Sequence, residues 1–425
     1  MLLSTKTKRE SVSETIGGSE KGLRIVYMLP EDLNRTGSGI VHFMAVAKGL
    51  RKRGHDVSIL APQYSGKMFR PKGFHNILVP LPGRNMVTYL LFQVLAAILM
   101  PLIWLLHRPH ALMVRGGWGL GFLVYLAARA MGIRVAVEVN GIPWVEMGSR
   151  GLSGVTQAFA RKTAAWECRT ANRIIAVTPM IAQELIRVSG KNPAEVFAIQ
   201  NGADPEEFAR DNRQPKRSAL KLASDKMIVG FVGDFSPWHG TRQIIESASL
   251  LPETIRRQVQ YVLVGAGEGW EEARHQVHAA HLDDVIALPG FARRNLLKDY
   301  LAVFDVGLHV EGSYKRGQFG SSALKFWEYL AAGLPVIVSD DINLTRIVQA
   351  DNMGLVIPDT NPETIAKAVT DVFSRREEFR SIGEQNRRVL RDKYSWDVVA
   401  GTVARVLAGE PVPHACCAIR EGKNE

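Results

Sequence analysis

Lys325 and Glu328 are the pair whose types and spacing first suggest chemistry. They lie three apart in QFGSSALKFWEYLAAGLPVIVSD, residues Gln318–Asp340. The stretch reads as a helix running to Ala332, stopped by Gly333 and followed by a buried strand that Pro335 opens. A spacing of three puts both side chains on one side of the helix. Ser321 or Ser322 would cap its N-terminus. Free amides at a helix start, a nearby cation and an acid fit a phosphorylated ligand with sugar hydroxyls. The amides and Lys325 would hold phosphate, and Glu328 would accept from a ribose diol. An amphipathic helix with a solvated Lys/Glu pair would look the same, and the stretch alone leaves both readings open.

Other chemistry finds little support. Gly265-Ala-Gly267-Glu-Gly269 follows a strand, but Trp270 stands where a dinucleotide fingerprint needs its third glycine. It reads as a tight strand-to-helix loop. No P-loop, His-x-x-x-His pair or Ser-His-Asp order stands out. The 11 histidines are scattered, so metal catalysis is not expected.

The elements that must position Lys325 and Glu328 alternate. LRIVYMLP near Leu23 reads as a buried strand. The loop Asn34-Arg-Thr-Gly-Ser-Gly39 and an amphipathic helix, Ile40–Arg53, follow. With the next strand at Asp56 this is a βαβ unit, which calls for a parallel sheet. The alternation runs on to Val196–Ile199. A polar stretch from Ala203 to Asp225 reads as a linker, and the pattern restarts at Met227. We expect a tail over 1–22, a first domain over 23–205, a linker over 206–225, a second domain over 226–394 and a tail over 409–425. In open α/β sheets ligands bind outside the carboxyl ends of the strands, where the glycine loops of both halves fall.

Apolar residues make up 46% of the 425 and charged residues 22%, with a net charge of +11. These values exclude global disorder. The charge is one-sided. Between Leu33 and Val137 stand thirteen Lys or Arg and a single acid, Asp56. That implies an acidic partner, nucleic acid or an anionic membrane. The same stretch holds the longest apolar run, Met86–Leu106. As a helix it is long enough to cross a bilayer. Strands on both sides argue against a span if they share a sheet, and Pro101 would kink it. Lying in the membrane surface and serving as a buried crossover helix are the other readings. Nucleic acid fits poorly, because the run lacks interleaved stacking aromatics. Cys168, Cys416 and Cys417 form no disulfide framework or zinc spacing, which points to a reducing compartment. The N-terminal residues lack the apolar core of an export signal. A cytoplasmic protein on the inner face of the plasma membrane is expected.

Taken together, the motifs resemble those of family-4 retaining glycosyltransferases with the GT-B fold, two Rossmann-like α/β domains facing a central cleft. The likeness runs from Leu23 to Leu407. It is carried by LRKRGHDV after the first glycine loop, AIQNGADPEEF, GFVGDFSPWHG, YVLVGAG and KFWEYLAAGLPVIVSD, in that order. The resemblance implies a nucleotide-sugar donor, UDP- or GDP-linked, held mainly by the second domain, with no cofactor and no metal. It implies that helix 395–408 crosses back onto the first domain. By the same resemblance Glu328 binds the ribose. Gly233 and the Trp238-His239-Gly240 turn meet the diphosphate, Gly37 and Gly39 approach it from the other side, and Phe291 lies beside the base.

Some positions depart from the family. Gly320 stands where members often carry a second glutamate. His239 replaces a lysine, Asp234 an arginine, and Asn140 of EVNGIPW the catalytic-region histidine. Members with an E-x-N-G stretch and a K-x-x-E helix share these changes, so a subgroup is implied, with Lys325 making up some of the missing positive charge. His239, Lys325 and the Ser321 and Ser322 amides are then the expected phosphate binders. Asn140 and Glu138 are expected near the sugar or acceptor. The plainer alternatives are a turn residue for Asn140 and a strand-end acid paired with arginine for Glu138. Arg115 and Trp118 could line the acceptor side. The cations and the apolar run suggest a lipid-linked or glycolipid acceptor for cell-surface polysaccharide. A GT-B-fold epimerase or phosphorylase, or a non-catalytic scaffold, is the alternative.

Overall fold

The computed structural model describes residues 22–35, 37–64, 69–149, 151–208, 211–311 and 318–412. Of the expected tails, 1–21 and 413–425, with Cys416 and Cys417, lie outside the described residues.

The first half builds β1 (Arg24–Met28), β2 (Asp56–Tyr64), β3 (His75–Leu81), β4 (Ala111–Arg115), β5 (Arg134–Val139), β6 (Arg173–Ala176) and β7 (Val196–Ala198). They form one sheet in the order β3-β2-β1-β4-β5-β6-β7, every pair parallel. The second half repeats the plan with β8 (Met227–Val232), β9 (Val259–Val264), β10 (Ile286–Gly290), β11 (Val306–His309), β12 (Val336–Ser339) and β13 (Gly354–Ile357). These are also parallel, in the order β10-β9-β8-β11-β12-β13. Strands such as Ile25–Met28 are apolar at successive residues because both sheet faces are covered.

Helices α1 (Ser38–Lys52), α2 (Met86–His107), α3 (Gly121–Ala130), α4 (Pro143–Ser149), α5 (Gly154–Thr170) and α6 (Pro179–Ser189) accompany the first sheet. Helices α7 (Arg213–Ala219), α8 (Thr241–Ser249), α9 (Glu253–Arg256), α10 (Trp270–Ala279), α11 (Arg294–Val303), α12 (Leu324–Ala331), α13 (Leu344–Ala350), α14 (Pro362–Ser374) and α15 (Arg376–Val389) accompany the second. Strand order reverses between β1 and β4 and again between β8 and β11. Such switch points open crevices at the carboxyl ends of the strands. The last helix, α16 (Trp396–Ala408), returns to the first half. Val399, Val403, Val406 and Leu407 share a core with Phe43, Val46 and Leu50 of α1, and Arg53 pairs with Asp397 at 3.0 Å.

One expectation needs correction, and the sequence argument against a membrane span holds. The stretch 206–225 is not a bare linker. It contains α7, whose Arg213 and Arg217 grip Asp305 at 2.6 and 2.9 Å. Its polar sequence misled because these charges are turned inward onto a carboxylate. Met86–Leu106 does not span a bilayer in this fold. Helix α2 joins β3 to β4, two strands of one sheet, so both its ends must stay on one side. An Asn85–Thr88 capping box starts it. Phe92, Gln93, Ala96, Met100 and Ile103 are buried, whereas Val87, Ile98, Leu102, Leu105 and Leu106 are more than half exposed.

Burial also shapes the first domain from within. Glu167 of α5 is 1% exposed. It accepts the Gly117 N–H at 3.1 Å and faces Tyr125 Oη at 3.4 Å, pinning the β4–α3 loop. Burial pushes its pKa from 4.5 up to about 8, against the hydrogen bonds from Gly117, Gly121 and Tyr125. Between those two values the folded protein holds a proton that the unfolded chain has released. Stability therefore falls as pH rises through that window and levels off above it. Glu167→Gln removes the titration and keeps an acceptor. Its melting temperature should decline less than the wild type's between pH about 5 and about 8. Parallel melting curves for the two proteins would exclude this account.

Candidate functional site

The carboxyl edges of the two sheets face each other across a cavity of about 470 Å³. From the first half it is lined by Ser38 and His42 of α1, Arg115 at the end of β4, Asn140 after β5, and Val145 and Glu146 of α4. From the second half come Gly233 and Asp234 after β8, His239, Arg294 of α11, Glu311 beyond β11, and the segment Phe319–Lys325 with Glu328.

Helix α12 delivers Lys325 and Glu328 into this cavity, 8% and 5% exposed, so they are not a solvated pair. Lys325 Nζ sits 4.8 Å from the centre of the Phe231 ring, a cation–π contact, and 4.0 Å from Glu311 Oε1. Burial raises the pKa of Glu328, and the Arg294 guanidinium, 2.5 Å from Oε1, works against that shift. Arg294 also forks onto both oxygens of Glu207 at 2.8 and 2.9 Å. The serines do not cap as expected. The helix begins at Leu324, its N-cap is Ala323, and no side chain caps it. Ser321 Oγ accepts from the Ala323 N–H at 3.3 Å. Ser322 Oγ is turned to the other domain, accepting from Asn201 N at 3.0 Å as well as from Trp327 Nε1 at 3.2 Å.

After β8 the chain turns through Gly233 to a short 3-10 segment, Pro237–His239. His239 faces the Asp234 carbonyl at 2.8 Å and its carboxylate at 3.1 Å, and Nε2 lies 3.8 Å from Glu311. Burial opposes ionisation of Asp234, but hydrogen bonds from His239 and Ser236 hold it below the usual carboxylate range. Gly240 has φ +62°, and a Cβ there would come within 2.7 Å of Val310, so its role is backbone geometry behind the cavity. The Gly265-Ala-Gly267 turn is structural. A Cβ on Gly265 would meet the Gly233 carbonyl at 1.7 Å, so the two strand-end loops stack with no room for a side chain.

On the other wall, Asn140 lines the cavity, its amide oxygen accepting from Arg115 Nε and Nη2 at 2.9 and 3.2 Å. Arg115 also bonds the Gly39 carbonyl. Gly37 is the N-cap of α1. Glu138 does not reach the cavity and is 2% exposed. It accepts from Tyr27 Oη at 2.6 Å and pairs with His42. Its main partner is thus a histidine and not an arginine. Phe291 is 66% exposed and does not line the cavity. Arg294, three residues on, takes the place next to Glu328. Trp118 stacks on Tyr89 of α2 at 4.7 Å, which is packing.

Among the cavity residues missed from the sequence are His42, Arg294 and Glu311. His42 left a signal, a polar residue between Val41 and Phe43 on the buried face of α1. Glu311 left a weaker one, its place just past the carboxyl end of a strand. Arg294 left none.

Residues 37–202 match the family model "Glycosyl transferase 4-like domain", and 212–389 match "Glycosyl transferases group 1". A D-inositol 3-phosphate glycosyltransferase of Gordonia bronchialis is 29% identical over 53% of this chain and 50% of its own length. The chain thus spans about half of that relative. Among solved structures, Anabaena Alr3699/HepE in complex with UDP-glucose is similar with TM-score 0.66 and 16% identity, covering 91% of this chain and 100% of that one. WaaG, a glycosyltransferase involved in lipopolysaccharide biosynthesis, is similar with TM-score 0.67 and 16% identity, covering 90% and 100%. Two parallel Rossmann-like domains of this kind are the GT-B fold.

The place of Gly320, eight residues before Glu328, has a physical reason. Its φ is +67°, and a Cβ would lie 2.5 Å from Asn343 Cβ. Asn343 in turn bonds the Ser321 carbonyl at 2.7 Å and Gln200 at 2.9 and 3.0 Å. Gly320→Ala should destabilise the protein by about 2 kcal/mol, from left-handed strain and the displaced Asn343. A lower urea midpoint with an unchanged slope is the expected result. An unshifted midpoint would refute the steric account.

Proposed function

The chain belongs to the family-4 glycosyltransferases of GT-B fold, and on that premise we propose that it moves a sugar, with retention, from a nucleoside diphosphate sugar to a membrane-held acceptor. The observation that carries the donor half is the convergence of Glu328, Lys325 and His239 on one cavity opposite Asn140 and Arg115. Glu328 Oε1 is engaged by Arg294, and Oε2 is the oxygen for a ribose hydroxyl. Lys325 and His239, with the α12 N-terminus, face the diphosphate.

In the transfer, the bond from the anomeric carbon to the diphosphate oxygen breaks. A bond from the same face to the acceptor oxygen forms, and the acceptor proton passes to the departing diphosphate. The protein's share is to stabilise the growing phosphate charge and to hold the acceptor, Asn140 and Arg115 being the groups on that side. No side-chain nucleophile and no metal is needed for this path.

The acceptor half rests on the outward face of α2. Val87, Ile98, Leu102, Leu105 and Leu106 are exposed there, and Leu126 of α3 and Phe159 and Trp166 of α5 are exposed as well. Arg84 and Arg108 bracket α2. An apolar face with cations at its ends suits the inner, anionic leaflet. A lipid-linked or glycolipid acceptor, as in cell-surface polysaccharide assembly, would then be presented at the surface on which the enzyme sits.

Both halves are testable. A UDP- or GDP-sugar should raise the melting temperature of the wild type, whereas Glu328→Ala and Lys325→Ala should lose that shift. No shift with any UDP-, GDP- or ADP-sugar would favour a non-catalytic GT-B scaffold. Separately, Ile98→Glu with Leu102→Glu should abolish co-sedimentation with anionic vesicles at low salt. Undiminished sedimentation would remove the membrane half and leave the donor half standing.

A further inference from the structure

The chain crosses between the domains twice, and both crossings pass His42. The outgoing one runs through Gln200-Asn201-Gly202. The returning one runs through Tyr394–Trp396, bonded alongside it by Ala203 N to the Tyr394 carbonyl at 3.3 Å and Trp396 N to the Ala203 carbonyl at 3.2 Å. His42, 4% exposed, stands where they meet. Its ring is edge-on to Trp396 at 5.4 Å. Nδ1 faces Asn201 Oδ1 at 2.5 Å, and Nε2 faces Glu138.

The partners fix which atoms donate. Asn201 Nδ2 gives its hydrogen to the Ser322 carbonyl, so Oδ1 is the atom turned to the ring, and oxygen can only accept. Glu138 also only accepts. Its other oxygen takes the Tyr27 hydroxyl hydrogen. Burial opposes the charge of Glu138, but His42 and Arg115 hold its carboxyl below the usual range. Both ring nitrogens thus face oxygen atoms that accept. The groups facing this pair are Tyr27 of β1, Arg115 of β4, Asn201 and the uncharged Trp396.

We propose that His42 is a positioning residue, a charged latch that runs from the first domain's sheet through Asn201 to Ser322 and so sets α12 over the cleft. Neither ring nitrogen is offered to substrate. The chain Tyr27–Glu138–His42–Asn201–Ser322 ends two residues before Leu324, where the helix bearing Lys325 and Glu328 begins. What His42 positions is the donor site, so this role rests on the proposed function. The latch itself is a property of the apo protein.

Two arms keep those apart. In the apo protein at neutral pH, nitrogen-detected NMR, with the signal assigned through His42→Gln, should show hydrogen on both ring nitrogens. Small-angle scattering should show a larger radius of gyration for His42→Gln and for Asn201→Ala, with wild-type helix content by circular dichroism. A ring protonated on one nitrogen, or unchanged scattering, overturns the latch whatever the protein binds. In the second arm UDP and GDP are each titrated calorimetrically. Each variant should bind about tenfold more weakly, the scale of one hydrogen bond to a charged group. The double variant should be no worse than either single, because one chain is cut twice. Additive losses overturn the coupling. Wild type that binds no nucleoside diphosphate overturns the donor reading, and the first arm still decides the latch.

Discussion

A parallel sheet covered by helices on both faces has nowhere to put polar chemistry except its ends, and that constraint organises this molecule. Side chains along the strands are buried on both faces. The backbone ladder runs out only where a strand stops. Arg115 ends β4, Asn140 follows β5, Gly233 follows β8 and Glu311 lies just past β11. All of these line one cavity, because the chain sets the carboxyl edges of its two sheets face to face. Helices that join parallel strands run back antiparallel to them, so their N-termini point to the same side. The cleft is thus a consequence of strand direction before any side chain is chosen.

The side chains then face a second constraint. An ionised group so close to the core costs several kcal/mol unless it is paired. Three acids near the cleft carry partners. Glu138 has His42, Glu328 has Arg294, and Asp234 has His239. These pairs hold charge ready without leaving it bare. They also set a rule for ligand binding. On the proposed reading, a diphosphate at His239 or Lys325 would share them with Asp234 and Glu311, so its affinity would be a difference between two ion pairings and not a sum of contacts. Lys325 is placed partly by the Phe231 ring, which steadies the ammonium without neutralising it.

Much of this was legible in the sequence. Long apolar runs and glycine loops give the strands and their order, and Lys325 and Glu328 could be assigned to one helix face. What escaped was long-range pairing. Nothing near Glu138 in the chain announces His42, 96 residues away. Arg294 lies 34 residues before Glu328, on a different helix. The polar stretch around α7 looked solvated, because inward ion pairs with Asp305 cannot be seen from composition. The serines before α12 looked like caps, but the neighbouring domain's Asn201 had claimed one of them. In each case local chemistry proposed a partner and tertiary structure supplied another.

Helix α2 shows the same limit from the opposite side. By length and composition it could cross a bilayer. Its neighbours in the chain forbid that, since β3 and β4 must both reach one sheet. A helix so constrained can bury one face only, here Phe92, Gln93, Ala96, Met100 and Ile103. Leucine and isoleucine on its free face then cost about 25 cal/mol for each Å² left in water. A protein that needed α2 only as a crossover could have carried polar residues there at no loss to its core. The apolar outer face is therefore surplus to folding, and that surplus is the ground of the membrane-surface proposal.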